Sequence, residues 1–392
     1  MIHRLLEKRH AHAMPSVFVS FLLLSFHAYL ILYINSTFLE QFVSARQVGL
    51  LFSAGALLTI LILFSAPTLL RRFGALTLTV ILLTLEFTLV GLLAFTNITP
   101  LVLLFFVLYR GVVASLIFVF DLFLESASPK ESDTGKIRGL YWALSNTALI
   151  ISPTIAGLLA GDGNFQRVYI FSSLFVIPVI IIVIHNLRGE AKNIRAPKGM
   201  LQAIPVFLKH RDLRNILCAR FLLRLFYAWM VIYIPVYLSQ VLGFNWKEIG
   251  FMLTFMLLPF ALFQFPAGYL ADKKLGEKEL LVLGFILIAT FTLIFALIGQ
   301  PIFILLAIIL FMTRVGASLI EIMTESYFFK HVNEDDGNVI SIFRATSPFA
   351  YVIGPLLGAL ALSFVSFEAM FGILGFVMYL GIFFALQIRD TK

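Results

Sequence analysis

Twelve stretches of about twenty or more mostly apolar residues follow one another along the chain, at about 16–39, 48–70, 75–96, 100–124, 138–160, 167–186, 213–239, 247–270, 279–299, 301–329, 337–363 and 366–387. A helix of ~20 residues crosses a ~30 Å hydrocarbon layer, and in lipid a helix satisfies its own backbone groups. A water-soluble domain cannot hide so many runs. Hydrophobic residues make up 60% of the 392 and charged residues only 13%, against about 45–50% and 25% in ordinary soluble domains. This excludes a soluble enzyme. A transmembrane barrel would alternate polar and apolar residues over short segments, which these runs do not. The fold class expected is an all-α polytopic membrane protein with twelve transmembrane helices.

Charge sets the expected orientation. With the amino terminus inside, the inner segments carry twenty-one Lys and Arg residues and the outer ones only Arg46, Arg167 and Lys247. That bias puts both termini in the cytoplasm; the location expected is the plasma (inner) membrane, multi-pass. The basic leader with Arg4, Lys8 and Arg9 precedes an apolar run too long for a signal peptide, so the run is read as a retained first helix. The formal charge of +8 follows from topology and attraction to lipid headgroups, and no nucleic-acid partner is expected. The polar stretch Arg188 to Arg214 holds Pro197, Gly199, Pro205 and seven basic residues. It divides the chain into residues 1–187, a cytoplasmic linker 188–211, and residues 212–392.

The two halves resemble each other. At an offset of 200, Phe21, Leu22, Leu23, Phe26, Ala28, Tyr33 and Ile34 meet Phe221, Leu222, Leu223, Phe226, Ala228, Tyr233 and Ile234; at 202, Gly74 meets Gly276 and Ser145 meets Ser347; at 203, Ala114 to Ile117 meets Ala317 to Ile320. Six spans is an even number, so the halves share one orientation as parallel-repeat six-helix bundles. The segment Gly268 to Lys278 (GYLADKKLGEK) is similar to the loop signature GxLADRxGR of the major facilitator superfamily (MFS), with one residue more between the acid and the second glycine. The first half keeps only Leu70 to Gly74, with Arg71 where the acid is expected. Gly354 to Gly358 resembles the glycine-proline packing motif of these bundles. On these residues the chain resembles an MFS transporter over essentially its whole length. The resemblance implies a cavity lined by the first, fourth, seventh and tenth helices.

The ionisable groups within the spans point to the same helices without the family. They are His27 in the first run, Glu86 in the third, Arg110 and Asp121 in the fourth, Arg220 and Arg224 in the seventh, Arg314, Glu321 and Glu325 in the tenth, and Arg344 in the eleventh. A charge in hydrocarbon costs ~2.5 kcal/mol or more, so such groups should face water or one another. Arg110 precedes Asp121, and Arg314 precedes Glu325, by eleven residues, which at ~100° per residue returns to within ~20° of the same face. The expected substrate contacts are Arg110, Arg314, Arg224 and His27, with Tyr33, Tyr227, Trp229 and Tyr233 either stacking on a ligand or packing. Arg220 is expected to snorkel to headgroups. Proton coupling falls to His27, Glu86 or Glu321, with a packing role open for His27 and a neutral, protonated state open for Glu86.

Asp121, Glu125, Glu325 and Arg344 are expected at the cytoplasmic gate, Glu321 being read there as well. By analogy with the family, Asp272, next to Lys273, would meet the start of the fifth helix at Arg138. In the first half, Arg71 or Arg72 would pair with the acidic run at Asp335 and Asp336. His3, His10 and His12 have no accompanying ligand, so neither metal nor cofactor is expected. No GxxxxGK(S/T), HExxH or nucleophile elbow is present.

The function expected is a secondary active transporter of a small organic solute, anionic or zwitterionic because the mid-depth arginines would repel a cation, working by alternating access with proton coupling and as a monomer. Two alternatives stand beside it. One is a proton-coupled multidrug efflux antiporter, although Arg110 to Ala114 departs from the RxxQG of that group. The other is a non-transporting scaffold or sensor on the same fold.

Overall fold

A computed structural model describes residues 2–127, 134–189, 191, 207, 209–332 and 337–389. Among the described residues, twelve helices are long and apolar enough to cross a membrane: α1 Ala13–Glu40, α2 Ala45–Phe73, α3 Ala75–Phe95, α4 Thr99–Ala127, α5 Ile137–Ala160, α6 Phe165–Asn186, α7 Arg211–Val241, α8 Trp246–Leu270, α9 Glu277–Leu297, α10 Phe303–His331, α11 Val339–Ala361 and α12 Phe367–Leu386. Among the described residues there is no strand. The protein is a multi-pass, all-helical membrane protein.

The chain forms two compact units, Met1–Phe42 with Ala54–Pro197, and Val43–Ser53 with Lys198–Lys392. In the first, α1 packs on α4, α5 and α6, while α3 packs on α4 and α6. In the second, α7 packs on α10, α11 and α12, while α9 packs on α10 and α12. Adding six to each helix number in these five pairs of the first unit gives the five pairs named in the second, which is the repeat read in the sequence expressed as packing.

Lipid cannot drive helix association by hydrophobicity, so close backbone approach through small residues does much of the holding. The crossing of α9 and α10 is built this way. A Cβ added at Gly316 would stand 2.6 Å from the Gly284 carbonyl oxygen, and one at Gly284 3.0 Å from that of Gly316.

The loop signature has its own local geometry. After Leu270 the helix widens into a π-helical turn over Ala271–Leu275, in which the Gly276 N–H donates to the Ala271 carbonyl five residues back at 3.0 Å. At the matching place in the first unit, the Gly74 N–H reaches only four residues back, to Leu70, at 2.9 Å. Both glycines stand at positive φ, +74° and +80°, a conformation that side chains with a Cβ disfavour. The extra residue of the signature is therefore absorbed as one wide turn.

Candidate functional site

In the first unit, α1, α3 and α6 bring three polar side chains together where nothing is exposed. His27 Nε2 lies 2.8 Å from Glu86 Oε1, and both side chains are 0% exposed. On the other side of the ring, His27 Nδ1 faces the Ser172 carbonyl at 3.1 Å and Ser172 Oγ at 2.9 Å. The Ser172 hydroxyl donates to the His27 carbonyl at 2.8 Å.

A carbonyl only accepts, and the Ser172 hydrogen is already used, so Nδ1 must carry the proton. The short Nε2 to Oε1 contact then needs one further proton, carried by the ring or by the carboxyl. The pair is thus either imidazolium with carboxylate or imidazole with carboxylic acid. In both forms it is neutral overall.

A second buried chain lies nearby: the Tyr169 hydroxyl donates to Asn35 Oδ1 at 2.8 Å, and Asn35 Nδ2 to the Tyr109 hydroxyl at 3.2 Å. Arg110 follows Tyr109 on α4 and acts electrostatically on both Tyr109 and Glu86. Gly55 on α2 leaves room for it, since a Cβ there would stand 2.6 Å from that of Arg110. The hydroxyl of Thr59 binds the Arg110 carbonyl at 3.2 Å.

The second unit carries a ladder of ion pairs between antiparallel α7 and α10. Arg220 Nη1 meets Glu325 Oε1 at 3.1 Å, and one turn further Arg224 Nη2 meets Glu321 Oε1 at 2.7 Å. The Tyr227 hydroxyl donates to Glu321 Oε2 at 2.9 Å. Arg220 does not snorkel to headgroups. It is only 6% exposed and lies over the Phe343 ring at 4.0 Å, because Glu325 and an aromatic face hold it more favourably than a long reach to the surface.

Beyond the ladder lies Arg314. It is 1% exposed, with its guanidinium 5.1 Å from the Phe226 ring centroid and 5.4 Å from that of Tyr227. Nη1 is buried with no hydrogen-bond partner, and among the described residues Arg314 has no carboxylate.

The remaining expected residues lie elsewhere. Trp229 Nε1 donates to the Gly354 carbonyl at 2.6 Å and the Tyr233 hydroxyl to that of Pro355 at 3.1 Å, so their polar tips anchor α7 to α11. Tyr33 is buried at the break between the two helical segments of α1. Asp121 and Arg138 both act electrostatically on Tyr141, which stacks on Phe21 at 3.7 Å. Glu125, Lys273 and Arg344 are exposed. Arg71 donates to Thr68 Oγ1 at 3.4 Å, and Arg72 lies over the Phe73 ring. Asp335 and Asp336 lie outside the described residues, as does the Asp272 side chain.

Two contributors escaped the sequence reading. Ser172 is one serine among many in a membrane helix and carries no distinguishing signal. Glu277 is 0% exposed, bound by Lys330 Nζ and by the Ser326 hydroxyl at 2.9 Å. Its place directly after Gly276 at a helix start was the available clue.

The sequence profile of the Major Facilitator Superfamily matches residues 14–255 and, again, 217–392. The chain belongs to the Major Facilitator Superfamily. Among solved structures, this superfamily member is similar to a bacterial homologue of the human lysosomal transporter Spinster, inward-facing and unoccupied, with a TM-score of 0.75, 12% identity and coverage of 96% of this chain and 95% of that one. The same homologue in its inward-facing, occupied form gives 0.74 at 12% identity, with 96% and 94% covered. The nucleoside transporter NupG, as a point mutant, gives 0.71 at 12% identity, with 94% and 99% covered. Identities this low carry the fold alone. No curated protein matches the chain.

Proposed function

We propose that this superfamily member is a proton-coupled secondary transporter of a small organic anion or zwitterion, with Arg314 as the group that receives the substrate's negative charge. The single observation supporting this reading is a desolvated guanidinium over two neighbouring aromatic rings, with no carboxylate of its own among the described residues. Leaving a buried charge unpaired costs several kcal/mol. An anion at ~4 Å regains roughly 4 kcal/mol at an effective dielectric of ~20. Glu321, occupied by Arg224 and Tyr227, orients the ladder beside this charge without neutralising it.

Proton coupling rests on the His27–Glu86 pair. Losing the one proton between Nε2 and Oε1 turns a neutral pair into a buried anion that Arg110 attracts. The superfamily's two-bundle architecture, here residues 1–187 and 212–392 joined by the linker 188–211, is compatible with alternating access. The basic inner segments favour cytoplasmic termini in a plasma (inner) membrane.

Purified protein in liposomes tests the reading. Uptake of labelled organic acids driven by an imposed pH gradient, and lost with Arg314→Met, is the expected result. Equal uptake of organic cations, or uptake unchanged by Arg314→Met, would overturn it.

A further inference from the structure

The ends of α7, α10, α11 and α12 in the second unit enclose a cavity of about 490 Å³. It is remote in function from Arg314 and the ladder, and nothing in the transport reading uses it. Its floor is apolar, formed by Leu213, Val332 and Val339, all buried. Its polar wall carries Lys209, Arg211 and Arg389, and among the described residues Asp212 is the one acid lining it.

Among the described residues none of these cations has a carboxylate partner, and Arg211 is held in place. Arg211 Nη2 donates to Gln387 Oε1 at 2.9 Å, an amide that orients the guanidinium without cancelling it. His331, also lining the cavity, stacks on Tyr327 with ring centroids 4.2 Å apart, and its Nδ1 donates to the Tyr327 carbonyl at 2.8 Å, which fixes the ring. The Tyr327 hydroxyl donates to the Arg389 carbonyl at 3.0 Å and fixes that end of the chain.

A net positive, oriented donor set over an apolar floor suits a phosphate ester. Two features select a lipid over a soluble phosphate. The cavity opens where four membrane spans end. One turn into α12 from Gln387, Phe383 and Leu386 are 61% and 55% exposed, an apolar track beside the cationic wall along which an acyl chain can lie. We infer that this cavity is a binding site for the phosphate headgroup of an anionic membrane lipid, with Lys209, Arg211 and Arg389 on the phosphate and α12 beside the tail.

The test uses the full chain in neutral detergent, with native mass spectrometry and thermal unfolding as readouts. Phosphatidylglycerol, phosphatidylcholine, glycerol phosphate and inorganic phosphate are compared. Retention of phosphatidylglycerol and a raised unfolding temperature are expected, with phosphatidylcholine weaker and the two soluble phosphates inert. Each of Lys209→Gln, Arg211→Gln and Arg389→Gln should weaken phosphatidylglycerol binding about fivefold, in line with ~1 kcal/mol per cation near a lipid surface. Arg389→Lys should retain it. Equal retention by the triple Gln variant, no preference over phosphatidylcholine, or a soluble phosphate matching the lipid would overturn the inference. If the triple variant fails to fold, the single variants decide on the same criterion.

Discussion

His27 Nε2 and Glu86 Oε1 stand 2.8 Å apart with no part of either side chain exposed, and the Ser172 carbonyl fixes which ring nitrogen already holds a hydrogen. The pair can therefore exchange only one proton. Glu86→Gln keeps a donor facing Nε2 and removes that proton. The fold should survive, and uptake should no longer respond to a pH gradient in liposomes. Glu86→Ala strips the partner and should destabilise by roughly 3–5 kcal/mol in thermal or denaturant unfolding. A Gln variant that still follows the gradient would remove the pair from coupling.

Arg314→Lys retains charge and loses the planar fork that lies against two aromatic rings. Substrate affinity should fall at least tenfold while the unfolding temperature stays close to wild type, as measured by equilibrium binding and thermal unfolding. An undiminished affinity would place the substrate elsewhere.

Tyr227→Phe removes the second donor to Glu321 and leaves Arg224 as its remaining partner. The cost in stability should be about 0.5–1.5 kcal/mol. A double-mutant cycle with Glu321→Gln should show non-additivity, and strict additivity would mean that the hydroxyl and the carboxylate do not interact.

Gly316→Leu has no space to occupy, because a first carbon there already falls 2.6 Å from the Gly284 carbonyl. Helices α9 and α10 must then separate. Loss of folded yield in size-exclusion chromatography is expected, whereas the same change at Gly91, where nothing lies within 4 Å, should be tolerated.

Much of the fold was legible because lipid makes apolar length the dominant signal. The seventh run, read as 213–239, is Arg211–Val241, and the ninth, read as 279–299, is Glu277–Leu297. The concentration of charge on the first, fourth, seventh and tenth helices was also visible. Partner choice was not. Whether Arg220 reaches for headgroups or for Glu325 depends on the rotation of α10, which a run of apolar letters does not encode. The tips of Trp229 and Tyr233 end on backbone carbonyls of α11, and a carbonyl has no letter at all. Glu277 carried no reading of its own beyond its place in the loop signature, and its burial under Lys330 and Ser326 is visible only in the structure.

The wide turn at Ala271–Leu275 bears on how such a chain tolerates changes in length. An extra residue inside a helix would ordinarily swing everything on one side of it by ~100° and aim a new set of side chains at the neighbours. Here the surplus is confined to five residues between Leu270 and Gly276. Upstream, α8 keeps the face it presents to α10. Downstream, α9 starts from the same glycine geometry as α3. The turn works as slack in the thread, and removing Lys274 should shorten the connection while leaving the aim of both helices intact.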